Sequence, residues 1–212
     1  MPIIFRSGTD IKTDRKLYNE VVAVDLGFAQ AGNESCGFAK SQNGNVIERG
    51  CFSFGKCIDE VVKNVREHKK IVLIIEAPLS GRFDAQGNPM SRGDFEKNSS
   101  DKSTRYWYAG AGASICLGAT FFLKMINAKT LNLADKENLD VVLYEGFITF
   151  KDENAKKLTH AEDAEILVEC FAGKRKHHVE TVNVADAQTS VVLTDLIALT
   201  TSSPAPHIIV PE

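Results

Sequence analysis

Four carboxylates stand where strong structural patterns begin or end. Asp25 closes the run Val21-Val22-Ala23-Val24 and is followed by Leu26-Gly27. Glu76 closes Ile71-Val72-Leu73-Ile74-Ile75 ahead of Ala77-Pro78, and Glu145 closes Val141-Val142-Leu143-Tyr144 ahead of Gly146. Asp186 sits in the first turn of an apolar helical pattern that Asn183 can cap. Runs this apolar read as strands buried on both faces, and a charge at the end of one is costly unless it is paired or holds a cation. Carboxylates gathered on one edge of a sheet offer hard oxygen ligands suited to Mg²⁺ or Mn²⁺. In open α/β sheets the carboxyl edge is also where ligands bind.

Each acid has a plainer reading. Asp25 and Glu76 could each pair with a buried Arg or Lys, although no basic residue adjoins either in sequence. The plainer role for Asp186 is to favour the positive end of its helix, three residues after Asn183. Glu145 can cap its strand or pair with Lys151. A further acid, Asp163, lies in the string His160-x-x-Asp163-Ala164, which has the same form as the Asp186-Ala187 opening. Thr159-His160-Ala161-Glu162 is a capping-box pattern that already accounts for Asp163, so it ranks behind Asp186.

The elements that must position these groups follow from periodicity. Residues 1–20 read as an N-terminal arm or edge element. A strand at 21–26 is followed by Cys36-Gly37-Phe38-Ala39 and by a third strand, Val46–Phe54, across the hairpin turn Asn43-Gly44. Ile58, Val61, Val62 and Val65 define a helix at roughly 57–68. The strand at 71–75 should be central and parallel to the first. Residues 78–105 show neither period and read as a disordered insertion or a substrate-facing flap, with Arg82 and Arg92 the side chains suited to phosphate. A small-residue helix at 106–127, a strand at 140–145, a helix from His160 and a last helix over 184–200 complete the chain, with 207–210 a short edge strand or merely extended.

Whole-chain properties narrow the function classes. The 212 residues suit one α/β domain, and a formal net charge of −3 gives no global attraction to polyanions. The five cysteines lack CxxC spacing and read as free thiols of a reducing cytosol. No signal peptide is read in MPIIFRSGTDIK. Tyr106 to Leu123 is uncharged at about the minimum length for a span, but its Gly, Ala, Ser and Thr content reads as a close-packed buried helix rather than a membrane segment. No Walker-type loop is present. The Asp-x-Gly of the first strand also opens actin-like ATPases and sugar kinases, which need a second lobe that this length does not provide.

The order β-β-β-α-β-α-β-α-α with its acids resembles the ribonuclease H-like fold. Asp25-Leu26-Gly27 with Cys36-Gly37-Phe38-Ala39 looks like the first two strands of RuvC-type resolvases. Ile75-Glu76-Ala77-Pro78 resembles their second acidic motif, and Asp186-Ala187 their closing one. Glu145-Gly146-Phe147-x-x-Phe150 resembles, without its proline, a segment of an uncharacterised nuclease family of this fold. The resemblance implies a mixed five-stranded sheet, three antiparallel then two parallel strands, flanked by helices. It implies a metal-dependent nuclease or resolvase acting on DNA or RNA, with two Mg²⁺ or Mn²⁺ ions roughly 4 Å apart. Asp25, Glu76 and Asp186 would be the catalytic ligands and Glu145 a fourth, and such enzymes work as dimers. The competing expectation is a non-catalytic binding or scaffold protein that kept the fold.

Overall fold

The computed structural model describes residues 4–27, 34–97, 106–134, 139–148, 159–182, 190–192 and 205–212. Its centre is the strand β2 (Glu20–Asp25), buried along its whole length because it is paired on both edges and covered on both faces. It runs antiparallel to β3 (Cys36–Gln42), which runs antiparallel to β4 (Asn45–Phe52). The β3–β4 turn places Asn43 and Gly44 at φ 51° and 75°, the left-handed pair that the Asn-Gly sequence favours. On its other edge β2 is parallel to β5 (Lys70–Glu76), and β5 to β8 (Asp140–Gly146). These five strands follow the expected directions.

The sheet is larger than the expected five strands and has eight among the described residues. The outer edge of β8 is shared end to end by two short strands, β1 (Ile4–Ser7) opposite Asp140–Leu143 and β11 (Ile208–Pro211) opposite Glu145 and Gly146. Gly8 N donates to Leu143 O and His207 N to Gly8 O, so the two segments join into one composite edge. β9 (His177–Glu180) then pairs antiparallel with β11. An open edge on a strand as buried as β8 would be a template for pairing with another chain, and these segments cover it. The stretch read as an arm or edge element thus supplies a strand of the sheet, followed by α1 (Ile11–Leu17) capped by Asp10.

Alternation along the strands separates two cores. Val22, Val24, Leu73, Ile75, Val141 and Leu143 face α2 (Phe54–His68) and α3 (Ala111–Ala134). Val21, Ala23, Val72, Ile74, Val142 and Tyr144 face α1 and α4 (His160–Ala172). α2 buries the expected stripe Ile58, Val61, Val62 and Val65 beneath a Ser53 cap. α3 begins later than expected, after a turn at residues 106–110, and is long and apolar enough to cross a membrane by composition. It buries Ile115, Ala119, Phe122, Leu123 and Ile126 while Leu117 and Phe121 lie exposed, so it is packed along one side only.

Two expectations fail outside this sheet. The stretch after Pro78 is not patternless: β6 (Ser80–Phe83), β7 (Pro89–Met90) and a 3₁₀ turn at Asp94–Glu96 form within it. A third strand, β10 (Ser190–Val192), pairs with β6, so a continuous helix over 184–200 is ruled out. Consecutive β-branched valines at 191 and 192 favour the extended strand there over the helix that apolar spacing suggested.

Candidate metal centre

Asp25 is the last residue of β2, and alternation with Val21 and Ala23 turns its side chain toward α4. Glu76 ends β5 in register directly beside it, on the same face as Val72 and Ile74. α4 brings its first turn to this point. Its start is fixed by the expected capping box: Thr159 Oγ1 accepts from Glu162 N, and Glu162 Oε2 accepts from Thr159 N. His160 is then the first helical residue and Asp163 lies one turn on, so both reach the same side.

Close approach depends on a missing side chain. Gly37 is the β3 residue in register with Asp25, and a Cβ there would stand 1.8 Å from the backbone oxygen of His160. Only glycine lets the helix start lie against the strand at that point. The result is His160 Nδ1 at 2.7 Å from Asp25 Oδ2, with ligand atoms of Asp25, His160 and Asp163 all within 4.8 Å of one another. Asp25 and Asp163 are 5 % and 3 % exposed and Glu76 is 7 %, whereas His160 faces solvent. Two nearly buried carboxylates, Asp25 and Asp163, with the imidazole of His160 are a donor set for Mg²⁺, Mn²⁺ or a similar divalent ion, and Glu76 stands on the next strand in register with Asp25.

The structure places the remaining expected residues elsewhere. Glu145 lies in register with Ile75, so it faces the α3 side of the sheet, opposite to Asp25 and Glu76. There Glu145 Oε2 accepts from Leu79 N and from Arg92 Nη1, each at 2.8 Å. This corrects its assignment as a fourth ligand: a period of two residues per strand sends neighbours to opposite faces. Lys151 lies outside the described residues, and so does Asp186. Arg92, expected to meet phosphate, is buried and donates from Nε to Glu96 at 2.8 Å as well as to Glu145. Burial works against the Arg92 charge, but Glu145 and Glu96 raise its pKa overall. Burial also holds the Glu145 carboxyl above the ordinary range, against the pull of Arg92. Arg82 lies exposed on β6 of the small sheet.

The sequence signal for His160 and Asp163 was the His-x-x-Asp-Ala string itself. A capping box explains why Glu162 is acidic and leaves Asp163 unexplained, since in a capping box only the third helical residue reaches back to the cap. Compared with protein-family models, with curated proteins and with solved structures, the chain matches none.

Proposed function

We propose that the chain is a divalent-metal-dependent nuclease on a ribonuclease H-like sheet, hydrolysing phosphodiester bonds of DNA or RNA. The observation that carries this reading is the convergence of Asp25, His160 and Asp163 at the carboxyl edge of the sheet, with Glu76 in register beside Asp25. These four residues would hold the metal, with His160 and Asp163 joining the expected Asp25 and Glu76; Asp186 lies outside the described residues. Bound there, two Mg²⁺ or Mn²⁺ ions would activate water on one side of the phosphodiester and stabilise the leaving oxygen on the other. Asp25 would be the central ligand, because Glu76 flanks it within the sheet and His160 meets it from the helix. Gly37 and the capping box hold His160 in place, so the donors are set before any substrate arrives.

The second reading, a non-catalytic scaffold of the same fold, is favoured by the contact of His160 Nδ1 with Asp25, which satisfies that carboxylate without an ion. The two separate in one experiment. Labelled DNA and RNA strands and duplexes are incubated with the protein in Mn²⁺ or Mg²⁺, beside Asp25→Asn and Asp163→Asn. The nuclease reading expects metal-dependent cleavage that both variants lose while remaining folded. Failure to bind a divalent cation at millimolar concentration, with no cleavage, leaves the scaffold reading.

A further inference from the structure

Tyr106, Trp107 and Tyr108 form a run of three half-buried aromatics just before α3. Their rings touch in series: Tyr106 and Tyr108 are stacked at 4.8 Å with 20° between planes, and Trp107 meets Tyr108 edge to face at 5.4 Å. Hydrophobic burial alone would hide such rings; these stay partly open to solvent. They are also fixed. The indole lies directly on Gly81, where a Cβ would come within 2.7 Å of it, and meets Phe83 edge to face at 5.2 Å. Trp107 Nε1 donates to Met90 O at 2.9 Å. Gly81 therefore has a positional purpose: it seats the indole on β6.

The place of these rings matters as much as their order. Tyr106 and Trp107 line a cleft at the carboxyl ends of β5 and β8, with the Arg92–Glu145 pair on the α3 side and Glu76, the register partner of Asp25, at the same sheet edge. Beside a centre proposed to cut phosphodiesters, the occupant that a rigid aromatic surface suits is an unpaired nucleobase. Every base presents a flat π-face, and such stacking is tolerant of sequence. A paired base inside a duplex has both faces covered by its neighbours and cannot stack on a protein ring without being extruded.

We infer that Tyr106, Trp107 and Tyr108 are a stacking platform for unpaired bases, which holds a single-stranded segment so that its phosphate reaches the acids around Asp25. This rests on the nuclease reading for its choice of nucleic acid, and it narrows the substrate to single strands, frayed ends or unpaired junctions.

Trp107 is the only tryptophan in the chain, so its fluorescence reports on the platform directly. Oligo-dT, oligo-U and a duplex of equal length are titrated in EDTA, where no cleavage can occur. The platform expects quenching by the single strands, at affinities at least several-fold tighter than the duplex, with the two single strands distinguishing DNA from RNA. Tyr106→Ala and Tyr108→Ala should each weaken single-strand binding about tenfold, with unchanged circular dichroism and an unchanged response to Mn²⁺. The variants spare Trp107, whose packing on Gly81 is structural. No quenching by either single strand, or a Tyr108→Ala variant that binds like wild type, overturns the platform. Cleavage in Mn²⁺ with a silent Trp107 does the same while the nuclease reading stands. Quenching by single strands without cleavage supports the platform while overturning the nuclease reading.

Discussion

At the scale of single residues, the acids divide into those with a fixed cation and those grouped around a histidine. Arg92 belongs to the first set, buried between Glu96 and Glu145. Removing its charge strands two carboxylates in a dry environment. Arg92→Met is therefore expected to cost about 3–5 kcal/mol in urea unfolding; a surface arginine reserved for phosphate would cost almost nothing. Asp25 belongs to the second set. Its neighbours bring two more negative charges, Glu76 and Asp163, against one imidazole. Asp25→Asn keeps the shape and a hydrogen bond to His160 while relieving repulsion, so its melting temperature in EDTA should equal or exceed that of wild type. In Mn²⁺ the order should reverse. A ligand at a hundred times its dissociation constant adds about 2.7 kcal/mol to the folded state, and the variant would forgo it. A drop in EDTA would mark Asp25 instead as half of a structural ion pair with His160.

At the scale of elements, the position of α4 decides whether a centre exists at all. Its first turn can lie beside Asp25 only because Gly37 has no side chain. Gly37→Ala drives a Cβ into the His160 carbonyl, a backbone atom that no rotamer change can move. The helix start must shift, and the Mn²⁺ stabilisation should vanish together with more than about 1 kcal/mol of stability. Gly50→Ala on β4 is the control, since its new Cβ would meet only the Phe52 ring at 3.3 Å or more. Local signals of this kind were readable in the sequence. The capping box at Thr159, the Asn43-Gly44 turn and the α2 stripe each need only a few adjacent residues. The face of Glu145 was readable in principle, but it depends on the register of β8 against β5, which no single strand encodes. Asp163 ranked behind Asp186 because the capping box beside it offered a local explanation, and that hid the tertiary one it shares with His160. The β6–β10 pairing joins segments about a hundred residues apart, so Val191-Val192 could hint at a strand but nothing near them could name its partner.

At the scale of the whole molecule, the sheet is finished by the two ends of the described chain meeting on β8. The sequence leaves 207–210 either a short edge strand or merely extended, and 1–20 an arm or edge element; pairing with the edge of β8 makes strands of Ile208–Pro211 and Ile4–Ser7. Their junction holds a titratable group. His207 donates its N–H to Gly8 O and accepts from Glu145 N through its carbonyl, which ties both segments to the strand. Its imidazole is partly withdrawn from water, and that burial lowers its pKa below the ordinary 6.5, against the opposing charges of Asp10 and Asp14. A histidine depressed in the folded state resists a proton that the unfolded chain accepts. Its contribution is present above about pH 6.5 and is lost as acid carries the solution down through the folded value. Thermal melts at pH 7.5 and pH 5.5 should thus show a loss for wild type that His207→Gln diminishes, since glutamine keeps the backbone bonds and a polar side chain but cannot titrate. If both proteins fall by the same number of degrees, the acid sensitivity of this sheet arises away from the seam where its ends join.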